Sequence, residues 1–325
     1  MRTIGFVISH KNNEKRRAAL PADIAGSRYA PQLYFETGYG ETLGLSDEDC
    51  IRCGAHVAAR ADILACDVLV DPKLGDADFM EEIAPGKTLF GWAHAAQKTD
   101  FTESALQKGH TVIAWEEMDH NGRNLFYRNR EVAGEAAVLQ AFLYMGRMPY
   151  DARVAILGRG NTARGAMRVL HGLGAQVDVY GRQQEALFKE KMHEYDMLVN
   201  CIMWDLSRKD RIITRADLQR LRKGSMIVDV SNDQDLTIET SHSTSFDDPV
   251  YTVDGILHYV VDNTPAMFPY TVSKELSRHL APYWGLLAEG KEDEILKRAT
   301  VLAEGRILDE KVRAFRAGLG LPLGK

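Results

Sequence analysis

Apolar residues fall in short blocks along this chain, and the spacing between the blocks changes in a regular way. Residues 3–9, 68–71, 88–92 and 111–115 are brief, mostly apolar runs, as expected for strands buried on both faces of a parallel sheet. Between them lie segments with helical spacing, for example residues 101–108, so the N-terminal part reads as an α/β unit of its own. A long helical run, residues 131–148, stops at Pro149 and is read as an interdomain connector. Strand-like runs then recur at 154–157, 176–180, 197–202 and 225–230, with helical patterns at 163–173 and 215–222. Residues 250–253 and 257–261 are expected to complete this second sheet. From Thr271 the pattern is helical nearly to the end, interrupted at Pro282 and Gly290, with no strand expected. These last helices are expected to return to the first domain.

The junction after residues 154–157 carries the sharpest signal. The apolar run leads directly into Gly158-Arg159-Gly160-Asn161-Thr162-Ala163, which places the glycines on a strand-to-helix turn. In that setting Gly158 allows the tight turn and Gly160 lets backbone approach a pyrophosphate. The small Ala163 lets the helix pack closely on the strand, with phosphate held at the helix N-terminus. The predicted fold is therefore α/β, with two Rossmann-like domains and a cleft between them. Residues 1–133 with 271–325 form the substrate domain, and residues 134–270 the nucleotide domain.

The second strand of that unit distinguishes the cofactors. An NAD site carries Asp or Glu about 20 residues on, at the strand end, to accept from the ribose 2′-hydroxyl. Asp178 has roughly that offset but lies inside the run 176–180, while the terminal positions are Gly181 and Arg182. Space and a guanidinium at that position suit a 2′-phosphate, so NADP is the expected cofactor.

Composition narrows the class. The 325 residues are 45% hydrophobic and 26% charged, enough for two cored domains, and the formal net charge of −6 gives no footprint for nucleic acid. The basic cluster at residues 11–17 supports a local anion site only. No apolar stretch approaches the ~20 residues that span a bilayer, and the opening segment is too short and strand-like for a signal peptide, so the cytoplasm is expected. Cys50 and Cys53 have metal or redox spacing, but no second pair or His cluster stands nearby. They are read as reduced thiols, and no metal site is expected.

Four polar positions lie where an apolar strand gives way to a loop. Arg16 or Arg17 follows the first run, Lys73 follows Val70-Asp71-Pro72, His94 follows Phe90-Gly91-Trp92-Ala93, and Asp233 follows Val228-Asp229-Val230. Taken singly, each has a plain structural explanation: a solvated charge, a hydrogen-bonded histidine, a turn former. Taken in order, they resemble the alanine dehydrogenase and pyridine nucleotide transhydrogenase family, which includes saccharopine dehydrogenase-like members. The resemblance runs through residues 11–21, Val70-Asp71-Pro72-Lys73, Ala93-His94 and Glu131-Val132-Ala133-Gly134. It continues through Ile227-Val228-Asp229-Val230 with Asp233-Gln234, His258-Tyr259 and Asn263-Thr264-Pro265. Seven loose motifs in one order, spanning nearly the whole chain, are specific together.

Within that family the likeness is greatest to members that use NADPH and join pyruvate to the side-chain amine of an amino acid. The resemblance implies L-ornithine, or L-lysine, as that amine. Trp92, the pair Trp204-Asp205, and Tyr270 depart from the ammonia-using members and bear on the amine pocket. Arg16 or Arg17 is implied as the carboxylate clamp, with Lys73 near the carbonyl oxygen, His94 as proton carrier and Asp233 near the nicotinamide or the cationic imine. The implied cofactor contacts are Gly158, Arg159, Gly160, Asn161, Thr162, Ala163, Arg182, Ile202, Met203, Ser231 and Asn263. Glu116, Glu117, Asp76 and Asp205 are alternatives for holding the amino-acid end. A homo-oligomer is implied, and the readings to be kept apart from this one are ammonia-dependent alanine formation, another keto acid, and a silent NADP-binding scaffold.

Overall fold

The computed structural model describes residues 1–203, 208, 210–231 and 237–324. The chain divides into two compact units: Met1–Phe126 together with Pro269–Lys325, and Tyr127–Phe268. Each is built on its own sheet.

In the first unit, among the described residues, eight strands form one sheet. Their spatial order is Arg306–Ile307, Thr300–Ala303, Thr111–Ala114, Thr88–Gly91, Val68–Asp71, Ile4–Phe6, Leu33–Glu36 and His56–Ala58. The central members are buried at every position, which is why they read as continuous apolar runs. The edge strand His56–Ala58 is not. Helix Pro269–Glu289 belongs to this unit because Trp284 packs edge-on against both Phe6 (5.0 Å) and Phe90 (6.1 Å) in the sheet.

Two expectations for the C-terminal region are corrected. Thr300–Ala303 and Arg306–Ile307 are strands; they form a hairpin that adds antiparallel to Thr111–Ala114. The turn between them is Glu304-Gly305, both at positive φ (52° and 73°), the backbone a two-residue hairpin needs. Pro282 does not interrupt its helix either. It lies on the exposed side while Leu276, Leu280, Tyr283, Trp284 and Leu287 stay buried on both sides of it, so packing outweighs one missing hydrogen bond.

The second unit carries a six-stranded sheet ordered Gln176–Tyr180, Arg153–Leu157, Met197–Asn200, Met226–Asp229, Ile256–Tyr259 and Val250–Val253. All neighbours are parallel except the last pair. The chain leaves Arg153–Leu157 through helix Asn161–Gly172 to one side and later returns to the other side at Met197–Asn200. The order therefore reverses between these two strands, and a crevice opens there at their carboxyl ends. The segment expected as a helix at 215–222 is a short 3-10 turn, Ala216–Arg220.

Helix Tyr127–Met145 crosses Asn161–Gly172 at very short range, and two glycines make this possible. A Cβ on Gly134 would stand 2.0 Å from the Thr162 carbonyl oxygen, and one on Gly165 would stand 1.9 Å from that of Glu131. Around the crossing, Glu131 and Glu135 accept from Arg128 and Arg168. The Glu131-Val132-Ala133-Gly134 motif is thus a helix-packing device that sets the angle of the helix leading away from the glycine turn.

Candidate functional site

In the second unit the glycine turn has the form its sequence predicts. Gly158 sits at φ 108°, a left-handed conformation costly for other residues, and a Cβ there would lie 2.9 Å from the Cys201 carbonyl oxygen. Gly160 is the N-cap of helix Asn161–Gly172, and a Cβ on it would meet only open space. The first intrahelical bond runs from the Arg164 N–H to the Gly160 carbonyl, so the amides ahead of it have no partner within the helix and are available to an anion. Ala163 is fully buried behind the turn.

A groove of about 600 Å³ runs along these strand ends, within the range of small-ligand sites. It is lined by Gly158, Arg159, Gly160, Asn161, Thr162, Gly181, Arg182, Ile202, Met203 and Ser231, together with Arg130, Cys201 and Val230. Nine of the residues expected at the cofactor therefore share one surface. Asn263 does not line it; it caps the 3-10 turn Thr264–Met267 from a left-handed backbone. Arg130 was not expected, although it immediately precedes the Glu131 motif. A narrower, more apolar pocket adjoins the groove and shares Gly181, Arg182, Ile202 and Met203 with it; Leu157, Tyr180 and Phe188 supply its apolar walls.

The strand end beside that pocket is cationic. Asp178 is committed elsewhere, accepting from Tyr195 Oη at 2.9 Å and Arg153 Nη2 at 3.0 Å, and these partners hold its carboxyl below the usual range. In its place stand Arg182 and Arg159. Arg159 Nη2 donates to Gln184 Oε1 (2.8 Å), which also accepts the Gly181 N–H (3.0 Å), and a Cβ on Gly181 would stand 3.3 Å from Arg159 Nε. The nearby carboxylate Glu185 is held by Arg208 through two contacts of 3.0 and 3.2 Å. These residues fit a dinucleotide: the glycine cradle would fill with any side chain, and the second strand ends in guanidinium groups.

In the first unit the strand-end residues gather through their turns. Arg16 is buried; its Nε and Nη2 donate to the Glu14 carboxylate, and its guanidinium stacks on Trp92 at 4.8 Å. Arg17 is spent differently. It donates to the backbone carbonyls of Tyr39 and Arg16, and its own N–H donates to Ser273 Oγ. Trp92 in turn packs edge-on against Trp115 and Phe126, at 5.1 and 5.8 Å.

The Lys73 and His94 turns touch directly. The Gly75 N–H donates to the Trp92 carbonyl at 3.0 Å, and a Cβ on Gly75 would stand 2.2 Å from the Ala93 carbonyl oxygen. Lys73 is 8% exposed, and its N–H donates to Asp71 Oδ1 at 2.7 Å. Burial pushes the Asp71 carboxyl up to about 7 against the opposing Lys73 amide and Ser9 hydroxyl. His94 occupies a left-handed backbone at φ 45°, which the Glu116 carboxylate fastens by accepting the amides of both Ala93 and His94. Burial also pushes Glu116 up to about 7. Sequence reasoning had no signal for Asp71 or Glu116 as supports, because they accept from backbone amides of the turns, nor for Glu14, which is held against Arg16.

Of the alternatives for the amino-acid end, Glu116 is thus engaged with backbone, Glu117 pairs with Lys311 at 2.9 Å, and Asp76 pairs with lysines. Asp233, Trp204 and Asp205 lie outside the described residues. All four cysteines are free thiols. Among the described residues no helix is long and apolar enough to cross a membrane, and no cluster of three metal-binding side chains occurs.

Comparison with known proteins converges on one family. The chain is 32% identical over 298 residues to the N(5)-(carboxyethyl)ornithine synthase of Lactococcus lactis subsp. lactis (strain IL1403), covering 86% of this chain and 94% of that protein. It is 28% identical over 347 residues to the alanine dehydrogenase of Halomonas elongata, covering 94% and 93%. A solved L-alanine dehydrogenase shares the fold with a TM-score of 0.84 at 24% identity, covering 98% of this chain and 99% of that one. Residues 8–128 match the N-terminal domain of the alanine dehydrogenase/PNT family and residues 180–312 its C-terminal domain. The glycine cradle, the strand-end turns and these matches together place the chain in the alanine dehydrogenase/PNT family.

Proposed function

We propose that this protein catalyses the NADPH-dependent reductive condensation of pyruvate with the side-chain amine of L-ornithine, with L-lysine as the alternative amine. Membership of the family makes it an NAD(P)-dependent oxidoreductase. The 32% identity to an N(5)-(carboxyethyl)ornithine synthase favours this amine. The observation that carries the chemistry is the meeting of three turns in the first unit: the Arg16 guanidinium on the Trp92 ring, the Gly75 N–H on the Trp92 carbonyl, and the Lys73 turn against Ala93-His94. A cation, an ammonium and an imidazole then stand at adjacent strand ends, which is what a keto acid under attack by an amine requires.

Arg16 is the carboxylate clamp in this reading, its guanidinium positioned by Glu14 and stacked on Trp92 beside the His94 turn, whereas Arg17 turns to the backbone carbonyls of Tyr39 and Arg16. Lys73 polarises the pyruvate carbonyl. The substrate amine attacks that carbon, and a proton passes from nitrogen to oxygen to give a carbinolamine. His94 supplies the proton with which the hydroxyl leaves as water, work suited to an imidazole and typically worth ~100- to 10,000-fold. Asp233 is assigned to steadying the cationic imine so formed. In the second unit Gly158, Gly160 and the helix amides would hold the pyrophosphate, with Arg182 and Arg159 at the 2′-phosphate. When bound, the dinucleotide supplies the hydride that reduces the imine.

The alanine dehydrogenase similarity supports a second reading in which ammonia is the amine. An amine panel with pyruvate and NADPH separates them: oxidation of NADPH with ornithine supports the first, and oxidation with ammonia alone supports the second.

A further inference from the structure

The guanidinium groups around the end of strand Gln176–Tyr180 are held in two different ways. Arg153 pairs with Asp178 and Glu194, and Arg208 with Glu185 and Asp210. Arg182 has no carboxylate or hydrogen-bond partner among the described residues, and the Arg159 guanidinium makes one hydrogen bond, from Nη2 to Gln184 Oε1 at 2.8 Å. Gln184 is itself fixed: its N–H donates to the Gly181 carbonyl at 2.8 Å, and its Oε1 accepts the Gly181 N–H at 3.0 Å. Both groups facing Oε1 are N–H donors, which settles the orientation of the amide. Gly181 supplies room for this arrangement. Its backbone is extended (φ −92°), open to any residue, but a Cβ there would stand 3.3 Å from Arg159 Nε and 3.5 Å from Arg159 Cζ. The glycine turn is also tied to the same strand end through backbone, the Gly158 N–H donating to the Tyr180 carbonyl at 2.8 Å.

We propose that Gln184 is the positioning residue that sets NADPH over NADH, by anchoring Arg159 at the 2′-phosphate through a neutral oxygen. This rests on the reading above, in which the cofactor is NADPH. A carboxylate at this position would hold Arg159 more tightly, but it would cancel the charge that the phosphate needs. It would also offer the ribose 2′-hydroxyl the acceptor that an NAD site carries. The amide anchors the guanidinium and does neither. Arg159 is long and exposed, so an anchored guanidinium has less side-chain freedom to lose when an anion binds than a free one has. The two carboxylates that could take over the anchor are engaged, Asp178 with Arg153 and Tyr195 and Glu185 with Arg208.

The test titrates NADPH and NADH, followed by their fluorescence, against the wild type, Gln184→Glu, Gln184→Met, Arg159→Gln and the double variant Arg159→Gln/Gln184→Met. The wild type is expected to favour NADPH. Gln184→Glu should lower that preference about tenfold, the loss of one charge-assisted contact at an exposed site, with NADPH weakened and NADH held or tightened. Gln184→Met keeps the length but removes the anchor, and should lower the preference about threefold. It should do nothing further once Arg159 is Gln, because Gln184 acts through Arg159. Equal losses of both dinucleotides in Gln184→Glu would mean that the residue only supports the turn, and overturn the assignment. So would an Arg159→Gln variant that keeps the wild-type preference, or a Gln184→Met loss that persists in full beside Arg159→Gln. A wild type that binds the two dinucleotides equally sinks the NADPH reading and the inference with it, whereas a preference for NADPH that Gln184→Glu leaves unaltered sinks the inference alone.

Discussion

Arg182→Ala should separate the two nicotinamide dinucleotides. Arg182 lines both the groove over the glycine turn and the adjoining pocket, at the strand end where Asp178 is turned away to Arg153 and Tyr195. A charge-assisted contact to a phosphate is worth about 1.5–3 kcal/mol, or about 10- to 150-fold in Kd. Arg159 stays beside Gly181 and keeps part of the positive field, so the loss should fall toward the lower end, about 10- to 30-fold for NADPH. NADH has no 2′-phosphate and should weaken by less than about threefold. Direct titration of the reduced dinucleotides, followed by their fluorescence, reads both constants on one preparation. Equal losses for NADPH and NADH would refute the placement of the 2′-phosphate at this strand end.

Two further outcomes test the architecture and its charges. Gly165→Ala puts a Cβ against the Glu131 carbonyl at the helix crossing and should destabilise the second unit by about 1–3 kcal/mol, seen as a lower urea midpoint; an unchanged midpoint would mean the helices part at no cost. Asp71 is 1% exposed with its carboxyl raised to about 7, so the folded state holds a proton that the unfolded chain releases near pH 4. Its contribution is complete below the unfolded value and is lost as pH rises through about 7, so stability should fall by a few kcal/mol between pH 5 and pH 8. Asp71→Asn should flatten that fall in urea titrations at the two pH values, and parallel curves for wild type and variant would contradict the assignment.

The buried parallel strands and the glycine turn were legible in the sequence because each has a local cause. A strand covered on both faces must be apolar throughout, and a pyrophosphate cradle must spare its Cβ atoms. Thr300–Ala303 and Arg306–Ile307 were not legible by run length, being too short and flanked by helices, yet Glu304-Gly305 marks their turn. Pro282 misled because the helix around it is held by Trp284 and its neighbours, a contact distant in sequence. The different surroundings of Arg16 and Arg17 likewise depend on Trp92 and Tyr39, which only the fold brings to them. Asp178 lies inside its strand by sequence, and the fold pairs its carboxylate with Arg153 and Tyr195, a contact that the sequence does not announce.

The central claim is that the chain builds a carbon-nitrogen bond between pyruvate and an amino-acid side chain. The most direct measurement is the mass of the product formed from pyruvate, L-ornithine and NADPH, with NADPH oxidation followed in the same reaction. The account predicts a single secondary amine, equal in mass to ornithine plus pyruvate less one water and plus two hydrogens, formed in step with NADPH consumed. Alanine formed from ammonia, with ornithine recovered intact, would contradict it.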